Sequence, residues 1–154
     1  MLRVVIIDGN AISRALLHTV LTEGGHQVIG DSNTSPSNVA KMIGLDPQLV
    51  CVDVAYADDG WALVDEIRTA LPKAIICMVS GKFEAATIEE GATKHGVHGF
   101  IAKPFKGATV MAIIRNAILK VVRKQQAKLD TQDAANGENA GEAPESGAEG
   151  DAGQ

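Results

Sequence analysis

The chain has 154 residues, of which 45% are apolar and 21% are charged, so it can supply one sizeable hydrophobic core but not two. Seven of its nineteen acidic residues lie after residue 129, where there is no lysine or arginine, which leaves twelve acidic against fourteen basic residues before that point. Neither the resulting net charge of about +2 nor the −5 of the whole chain suggests a nucleic-acid-binding protein.

Short β-branched runs alternate with longer segments of helical period, which is typical of repeated βαβ units and a parallel sheet. The predicted strands are Arg3–Ile7, about His26–Gly30, Gln48–Val52, Ala74–Val79 and Gly99–Ala102. Runs such as VVII and AIICMV do not alternate apolar with polar residues, as expected when helices cover both faces of a sheet. We therefore predict an α/β fold with a doubly wound five-stranded parallel sheet in the order 2-1-3-4-5, of the flavodoxin-like type.

Helices are predicted between these strands and after the last one. They cover about Ala11–Glu23, a segment beginning at Ser35-Pro36, about Gly60–Ala70, about Glu84–His95, and about Ala108–Lys128. In the first helix we expect Ile12, Leu16 and Val20 to form the stripe that faces the sheet. In the last helix the corresponding stripe consists of Val110, Ile113, Ile114, Ala117, Ile118 and Val121.

The chain is expected to contain one folded domain, residues 1–124, followed by residues 125–154, which form the end of the fifth helix and an acidic tail. From Asp130 onward there is no aromatic or β-branched aliphatic residue, so we predict disorder there.

Cys51 and Cys77 lie within apolar runs and are expected to be buried. Only four consecutive apolar residues precede Asp8, too few for a signal peptide or a membrane span, so we expect a cytoplasmic protein without membrane insertion.

Four polar residues that directly follow predicted strands stand out. They are Asp8, Asp53, Ser80 and Lys103, after the first, third, fourth and fifth strands. Because the carboxyl ends of parallel strands share one edge of the sheet, these residues should meet where such folds bind ligands. Two carboxylates, a hydroxyl and a lysine form a plausible site for accepting a phosphoryl group, with one aspartate as the nucleophile and a divalent metal as a further cation.

Over about residues 2 to 122 the chain resembles the receiver domain of two-component response regulators. The matching motifs are VVIID ending at Asp8, LVCVD ending at Asp53, Asp59-Gly60, MVSG ending at Gly81, and GFIAKPF from Gly99 to Phe105. The resemblance implies that Asp53 is the phosphoacceptor and that Asp8 belongs to the acidic pocket. It further implies that Lys103 binds the phosphoryl group, that Ser80 is the switch hydroxyl, and that Phe100 is the aromatic switch. The backbone carbonyl of Ala55 would be a ligand for Mg²⁺ together with Asp8 and Asp53.

The resemblance also implies the partners. A histidine kinase or phosphotransfer protein would donate the phosphoryl group, and the signal would pass through a changed surface on helix 4, strand 5 and helix 5, read by a downstream target protein or by a second copy of the chain as a homodimer. We expect a single-domain phosphoacceptor switch rather than an enzyme, with at most self-catalysed phosphorylation and dephosphorylation.

Two departures from the family pattern affect the same pocket. Gly9 stands where the family usually has a second acidic residue after strand 1, which removes a direct ligand of the metal and should weaken Mg²⁺ binding. Asn10, Asp58 or Asp59 could compensate. The loop after Asp53 lacks the usual Met-Pro and is one residue shorter.

Two other functions are possible for a protein of this topology. An atypical receiver would keep the fold and act as a phosphorylation-independent protein-interaction module, as Gly9 permits. A flavin or nucleotide protein of the same topology would need a phosphate-binding loop after strand 1, but the sequence DGNAIS has no such fingerprint.

Overall fold

The computed structural model describes residues 1–55 and 59–141, with the backbone alone for 138–141. Strands and helices alternate along the chain. Their bounds are β1 (Arg3–Ile7), α1 (Ala11–Glu23), β2 (Gln27–Ser32), α2 (Pro36–Gly44), β3 (Leu49–Asp53), α3 (Gly60–Ala70), β4 (Ile75–Ser80), α4 (Ala85–Lys94), β5 (Gly99–Ala102) and α5 (Gly107–Gly141). Most of the predicted boundaries agree within one or two residues, and the end of α5 is the exception.

The five strands form one parallel sheet in the order β2-β1-β3-β4-β5, which confirms the predicted fold class. β1, β3 and β4 are the central strands, and their side chains are buried almost throughout. One apolar layer packs α1 and α5 on one face of the sheet, and a second packs α2 and α3 on the other. Coverage on both faces explains why these strands are continuously apolar in sequence.

The buried stripe of α1 differs from the predicted one. Leu17 and Leu21 are buried against the sheet, whereas Ile12 is 82% exposed and Leu16 is 49% exposed. Val20, the third member of the predicted stripe, is partly buried against the same core. The helix carries two neighbouring stripes with i, i+4 spacing, Ile12–Leu16 and Leu17–Leu21, and only one of them can face the sheet. The prediction for Ile12 and Leu16 was therefore wrong.

Helix α5 has the predicted apolar stripe, because Val110, Ile114 and Ala117 are buried and Ile113, Ile118 and Val121 pack against them. The helix does not end near Lys128, as predicted, but continues to Gly141, so residues 130–141 are helical where the sequence predicted disorder. Alanine, glutamine and lysine favour helix, and an intrahelical hydrogen bond from Gln126 Nε2 to Asp130 Oδ1 (2.9 Å) supports this extension. The rest of the predicted tail, 142–154, lies outside the described residues.

Chain contacts divide the protein into two units, Met1–Val121 and Val122–Gln154. The first contains the sheet and its covering helices. In the described part of the second, residues 122–137, every side chain is exposed. Across the described ranges, no helix combines the length and the apolar character needed to cross a membrane.

Both cysteines lie in the core of the first unit, as predicted. Cys51 and Cys77 are fully buried and free. Burial raises the pKa of the Cys77 thiol to about 12 and that of Cys51 well above its usual range. Thiols in such surroundings are inert, so these residues serve as small apolar side chains.

Candidate functional site

Asp8 and Asp53 lie side by side at the carboxyl edge of the sheet. Asp53 is the last residue of β3, and Asp8 directly follows β1. Because Ile7 pairs with Val52 in the parallel ladder, the next residue of each strand reaches the same point of the edge. Both residues are almost completely buried, with relative exposures of 1% for Asp8 and 2% for Asp53. Two carboxylates buried this close together require a cation between them.

Lys103 supplies that cation. Its Nζ atom lies 3.0 Å from Asp8 Oδ2 and 2.5 Å from Asp53 Oδ2, so one ammonium group contacts both carboxylates. The residue follows β5, and its backbone N–H donates to the carbonyl of Ser80 at 2.8 Å. The Lys103-Pro104 peptide bond is cis. Partial burial alone would lower the pKa of Lys103, but hydrogen bonds and charges from Asp53 and Asp8 outweigh this, and the net pKa is raised.

The second oxygen of each carboxylate accepts a backbone hydrogen bond from the residue two positions later. Asp8 Oδ1 accepts from Asn10 N, and Asp53 Oδ1 accepts from Ala55 N, both at 2.8 Å. These short turns fix the two side chains at the mouth of the site. Ala55 itself is exposed, and its backbone carbonyl as a metal ligand remains a prediction.

Arg14 is a pocket residue that sequence reasoning missed. Its guanidinium donates to the carbonyl of Asp8 at 2.7 Å and approaches the Asp31 carboxylate of β2 at 3.3 Å. It lies three residues before Leu17, on the buried side of α1. The spacing Arg14, Leu17, Leu21 would have pointed to it once the correct stripe was chosen.

Two of the three residues predicted to be able to compensate for Gly9 have other partners. The side chain of Asn10 caps α1 by accepting from Ile12 N and Ser13 N, and that of Asp59 caps α3 by accepting from Ala62 N. Asp58 lies outside the described residues. Within the described ranges, no group of three or more His, Cys, Asp and Glu side chains could hold a metal ion. The donors that the structure brings together are the two carboxylates of Asp8 and Asp53, whose oxygen atoms fit a magnesium ion that keeps several water ligands.

Ser80 ends β4 at the same edge, but its hydroxyl is engaged with its own loop. Ser80 Oγ donates to the carbonyl of Lys82 at 3.1 Å and accepts from Lys82 N at 3.4 Å. The backbone of Ser80 is tied to the site through Lys103 N, whereas its side chain is not directed at the carboxylates. A cavity of about 250 Å³ lies beside this loop, with Ser80, Phe83 and Trp61 in its wall.

Phe100, in the middle of β5, is partly buried against the α3 side of the core. Its ring meets Phe83 of the β4–α4 loop edge-on, with ring centroids 5.4 Å apart. The aromatic side chain is thus packed against the loop that contains Ser80. Phe83 was not predicted as part of the site, because nothing in its sequence position indicates a contact with Phe100.

Comparison with known proteins identifies relatives along most of the chain. The model of the response regulator receiver domain matches residues 4–115. The chemotaxis protein CheY of Thermotoga maritima is 32% identical over 110 residues, covering 71% of this chain and 91% of that protein. A protein-glutamate methylesterase/protein-glutamine glutaminase of Geobacter sulfurreducens is 28% identical over 158 residues, covering 93% of this chain but only 42% of the relative.

Solved structures show the same fold. The signal receiver domain of a modulated diguanylate cyclase from Desulfovibrio desulfuricans has a TM-score of 0.68 and 22% identity, covering 80% of this chain and 98% of that domain. NtrX from Brucella abortus, solved in complex with ATP, has a TM-score of 0.67 and 26% identity, covering 82% of this chain and 29% of NtrX. The likeness therefore extends over the sheet and the helices that cover it.

Proposed function

The chain belongs to the response regulator receiver family, and from this premise we propose that it accepts a phosphoryl group on Asp53 from a histidine kinase or phosphotransfer protein. The observation that carries the proposal is the contact of one ammonium group, Lys103 Nζ, with two buried carboxylates at the ends of adjacent strands. Such an arrangement places a nucleophile next to a fixed positive charge, as phosphoryl transfer requires.

The chemistry is one displacement at phosphorus. A carboxylate oxygen of Asp53 attacks, the bond from phosphorus to the donor's imidazole nitrogen breaks, and its electron pair leaves with the imidazole. Lys103 can donate to the phosphoryl oxygens from its present position. Asp8, Asp53 and the carbonyl of Ala55 would hold Mg²⁺, which would supply further neutralisation of the phosphoryl charge when bound.

The expected output is a conformational change of the β4–α4 loop. Ser80 Oγ would exchange its bonds to Lys82 for a bond to the phosphoryl group, since a charged acceptor gives a stronger hydrogen bond than a carbonyl. Phe83 and Phe100 are in ring contact, so movement of this loop displaces the packing partner of Phe100. The surface formed by α4, β5 and α5 would then change, and a target protein or a second copy of the chain would bind the changed surface. We propose that this takes place in the cytoplasm.

Gly9 favours a second candidate, a receiver that acts by protein contact without phosphorylation. The usual third carboxylate is missing, and Lys103 already contacts both of those that remain. In this candidate the ion-paired pocket is a structural element, and the output face is bound in one conformation.

Incubation with acetyl phosphate and Mg²⁺, followed by intact-protein mass measurement, separates the two. The first candidate predicts a one-phosphoryl mass increase in the wild type and in Asp133→Ala, an exposed-aspartate control, and none in Asp53→Ala. It also predicts faster labelling in Gly9→Asp. No labelling of the wild type at any Mg²⁺ concentration would support the second candidate, and labelling that survives Asp53→Ala would reject Asp53 as the acceptor.

A further inference from the structure

One face of α3 is connected to the end of α4 by three side chains. Trp61, Asp65 and Arg68 are spaced i, i+4 and i+7, so they lie along one side of the helix. All three contact the segment from Gly91 to Gly96, which contains the last turn of α4 and the start of the following loop. The ion pairs, hydrogen bonds and ring stack of this connection involve none of Asp8, Asp53 and Lys103, and neither the family motifs nor the proposed chemistry accounts for it.

His95, the C-cap of α4, is at the centre of the connection. Its ring stacks on Trp61 with centroids 4.2 Å apart and an interplanar angle of 6°. Its Nδ1 lies 2.6 Å from Asp65 Oδ1, and since a carboxylate can only accept, Nδ1 is the donor. Its Nε2 lies 3.6 Å from Glu90 Oε1 of α4. With its side chain 14% exposed, His95 is held on one face by an aromatic ring and at its edges by carboxylates from two helices.

Arg68 fixes the loop on the other side of His95. Its guanidinium donates to the carbonyl of Gly96 at 2.7 Å and to the carbonyl of Ala74 at 2.7 Å. Gly96 has a φ of 68°, and a Cβ there would lie 2.9 Å from Arg68 Nε, so glycine is required for this approach. The residue that follows His95 is therefore also anchored to α3.

The same segment touches the aromatic residue of β5. A Cβ placed on buried Gly91 would lie 3.0 Å from the ring of Phe100 and 3.1 Å from the ring of Trp61. Gly91 thus separates the two rings, one held by the His95 stack and the other in contact with Phe83. A movement of Phe100 toward α4 has to be accommodated by Gly91, by Trp61, or by both, because the two rings leave no room for even a Cβ at Gly91.

We propose that His95 is a positioning residue that ties α4 to α3 through Trp61 and Asp65 and thereby opposes the movement of Phe100 and the β4–α4 loop. The proposal rests on the proposed function, since it concerns how easily the change at Asp53 reaches α4. Removing the His95 ring should loosen α4 and make the activated conformation easier to reach.

The tie can be tested without any modification of Asp53, by amide hydrogen exchange. In His95→Gln, which loses the stacked ring, the amides of α4 should exchange about 2- to 10-fold faster than in the wild type, as expected for loss of one aromatic pair. The amides of β1 should be unchanged. His18→Gln, on α1, is the matched control, and His95→Phe, which keeps a flat ring over Trp61, should recover most of the protection.

Coupling to the phosphoacceptor is tested by calorimetric titration of the same proteins with beryllofluoride and Mg²⁺. His95→Gln should bind beryllofluoride about 2- to 10-fold more tightly than the wild type, and His95→Phe should remain close to the wild type. If the amide exchange rates of α4 are unchanged in His95→Gln, the proposal that His95 holds α4 to α3 is overturned. If the amides of α4 exchange faster but the affinity for beryllofluoride is unchanged, the proposed coupling between His95 and the Asp53 site is overturned. Failure of the wild type to bind beryllofluoride overturns the proposed function instead, and the exchange result still decides whether the tie exists.

Discussion

The ammonium group of Lys103 lies 3.0 Å from a carboxylate oxygen of Asp8, ninety-five residues away in the chain. Replacing Lys103 by methionine would remove the cation from two buried carboxylates. We expect the free energy of unfolding at pH 7.5 to fall by about 1–3 kcal/mol, the usual cost of leaving a buried acceptor unpaired. Chemical denaturation measures this, with Lys106→Met, an exposed lysine of the same loop, as the control. Equal stability of the two variants would contradict an electrostatic role for Lys103.

The pKa shift of Lys103 predicts the pH range in which the stabilisation by its ion pairs is lost. Because the pKa is raised in the folded protein, the stabilisation is complete below the ordinary lysine pKa of about 10.4 and is lost only as the pH rises through the folded value. The difference in unfolding free energy between the wild type and Lys103→Met should therefore be constant across neutral pH and should shrink only under strongly alkaline conditions.

Asp53→Asn, unlike Lys103→Met, should not lower the free energy of unfolding. The amide oxygen can still accept from Ala55 N, while the like-charge repulsion with Asp8 is removed and Lys103 keeps one partner. We expect the free energy of unfolding to stay unchanged or to rise by up to about 1 kcal/mol, because functional sites often hold like charges together at a cost in stability. A loss of more than about 2 kcal/mol would show that the Asp53 ion pair is mainly structural.

The lowered pKa of His26 predicts a contribution to stability that is lost in acid. Its Nδ1 accepts a hydrogen bond from Leu2 N at 3.2 Å, and burial, with the nearby N-terminal charge, lowers its pKa. The unfolded chain therefore binds a proton more readily than the folded one, and stability falls as the pH drops below about 6.5. Between pH 7.5 and 5.5 the wild type should lose more unfolding free energy than His26→Gln. Parallel pH profiles for the two proteins would contradict this assignment.

The buried face of α1 can be checked with two neighbouring leucines. Leu17 is 1% exposed and Leu16 is 49% exposed. Leu17→Ala should reduce the free energy of unfolding by about 2–5 kcal/mol, whereas Leu16→Ala should change it by no more than about 0.5 kcal/mol. The reverse order would restore the stripe predicted from the sequence.

The fold was largely predictable because its signals are redundant. Continuous apolar strands, helical segments between them, and the requirement for right-handed crossovers leave few arrangements of a five-stranded sheet. The contact of Asp8, Asp53 and Lys103 followed from the same reasoning, since each ends or follows a strand. Strand order places Asp8 and Asp53 on adjacent strands, whereas Lys103 follows β5, which β4 separates from β3, and the long lysine side chain spans that distance.

What the sequence did not predict depends on choices between close alternatives. Two stripes of α1 have the same spacing, and the choice between them depends on how the helix packs on the sheet. The hydroxyl of Ser80 could bond to the pocket or to its own loop, and the loop is favoured in this structure. The stack of His95 on Trp61 joins two helices through a contact that no local pattern encodes.

The most direct test of the central claim is to locate the acyl phosphate itself. The wild type is incubated with acetyl phosphate and Mg²⁺, reduced with borohydride, which converts an aspartyl phosphate to homoserine, and digested for peptide mass spectrometry. The proposed function predicts homoserine at position 53 and at no other aspartate, with the signal abolished when Mg²⁺ is chelated. Homoserine at another aspartate, or none at position 53 in either the wild type or Gly9→Asp, would contradict it.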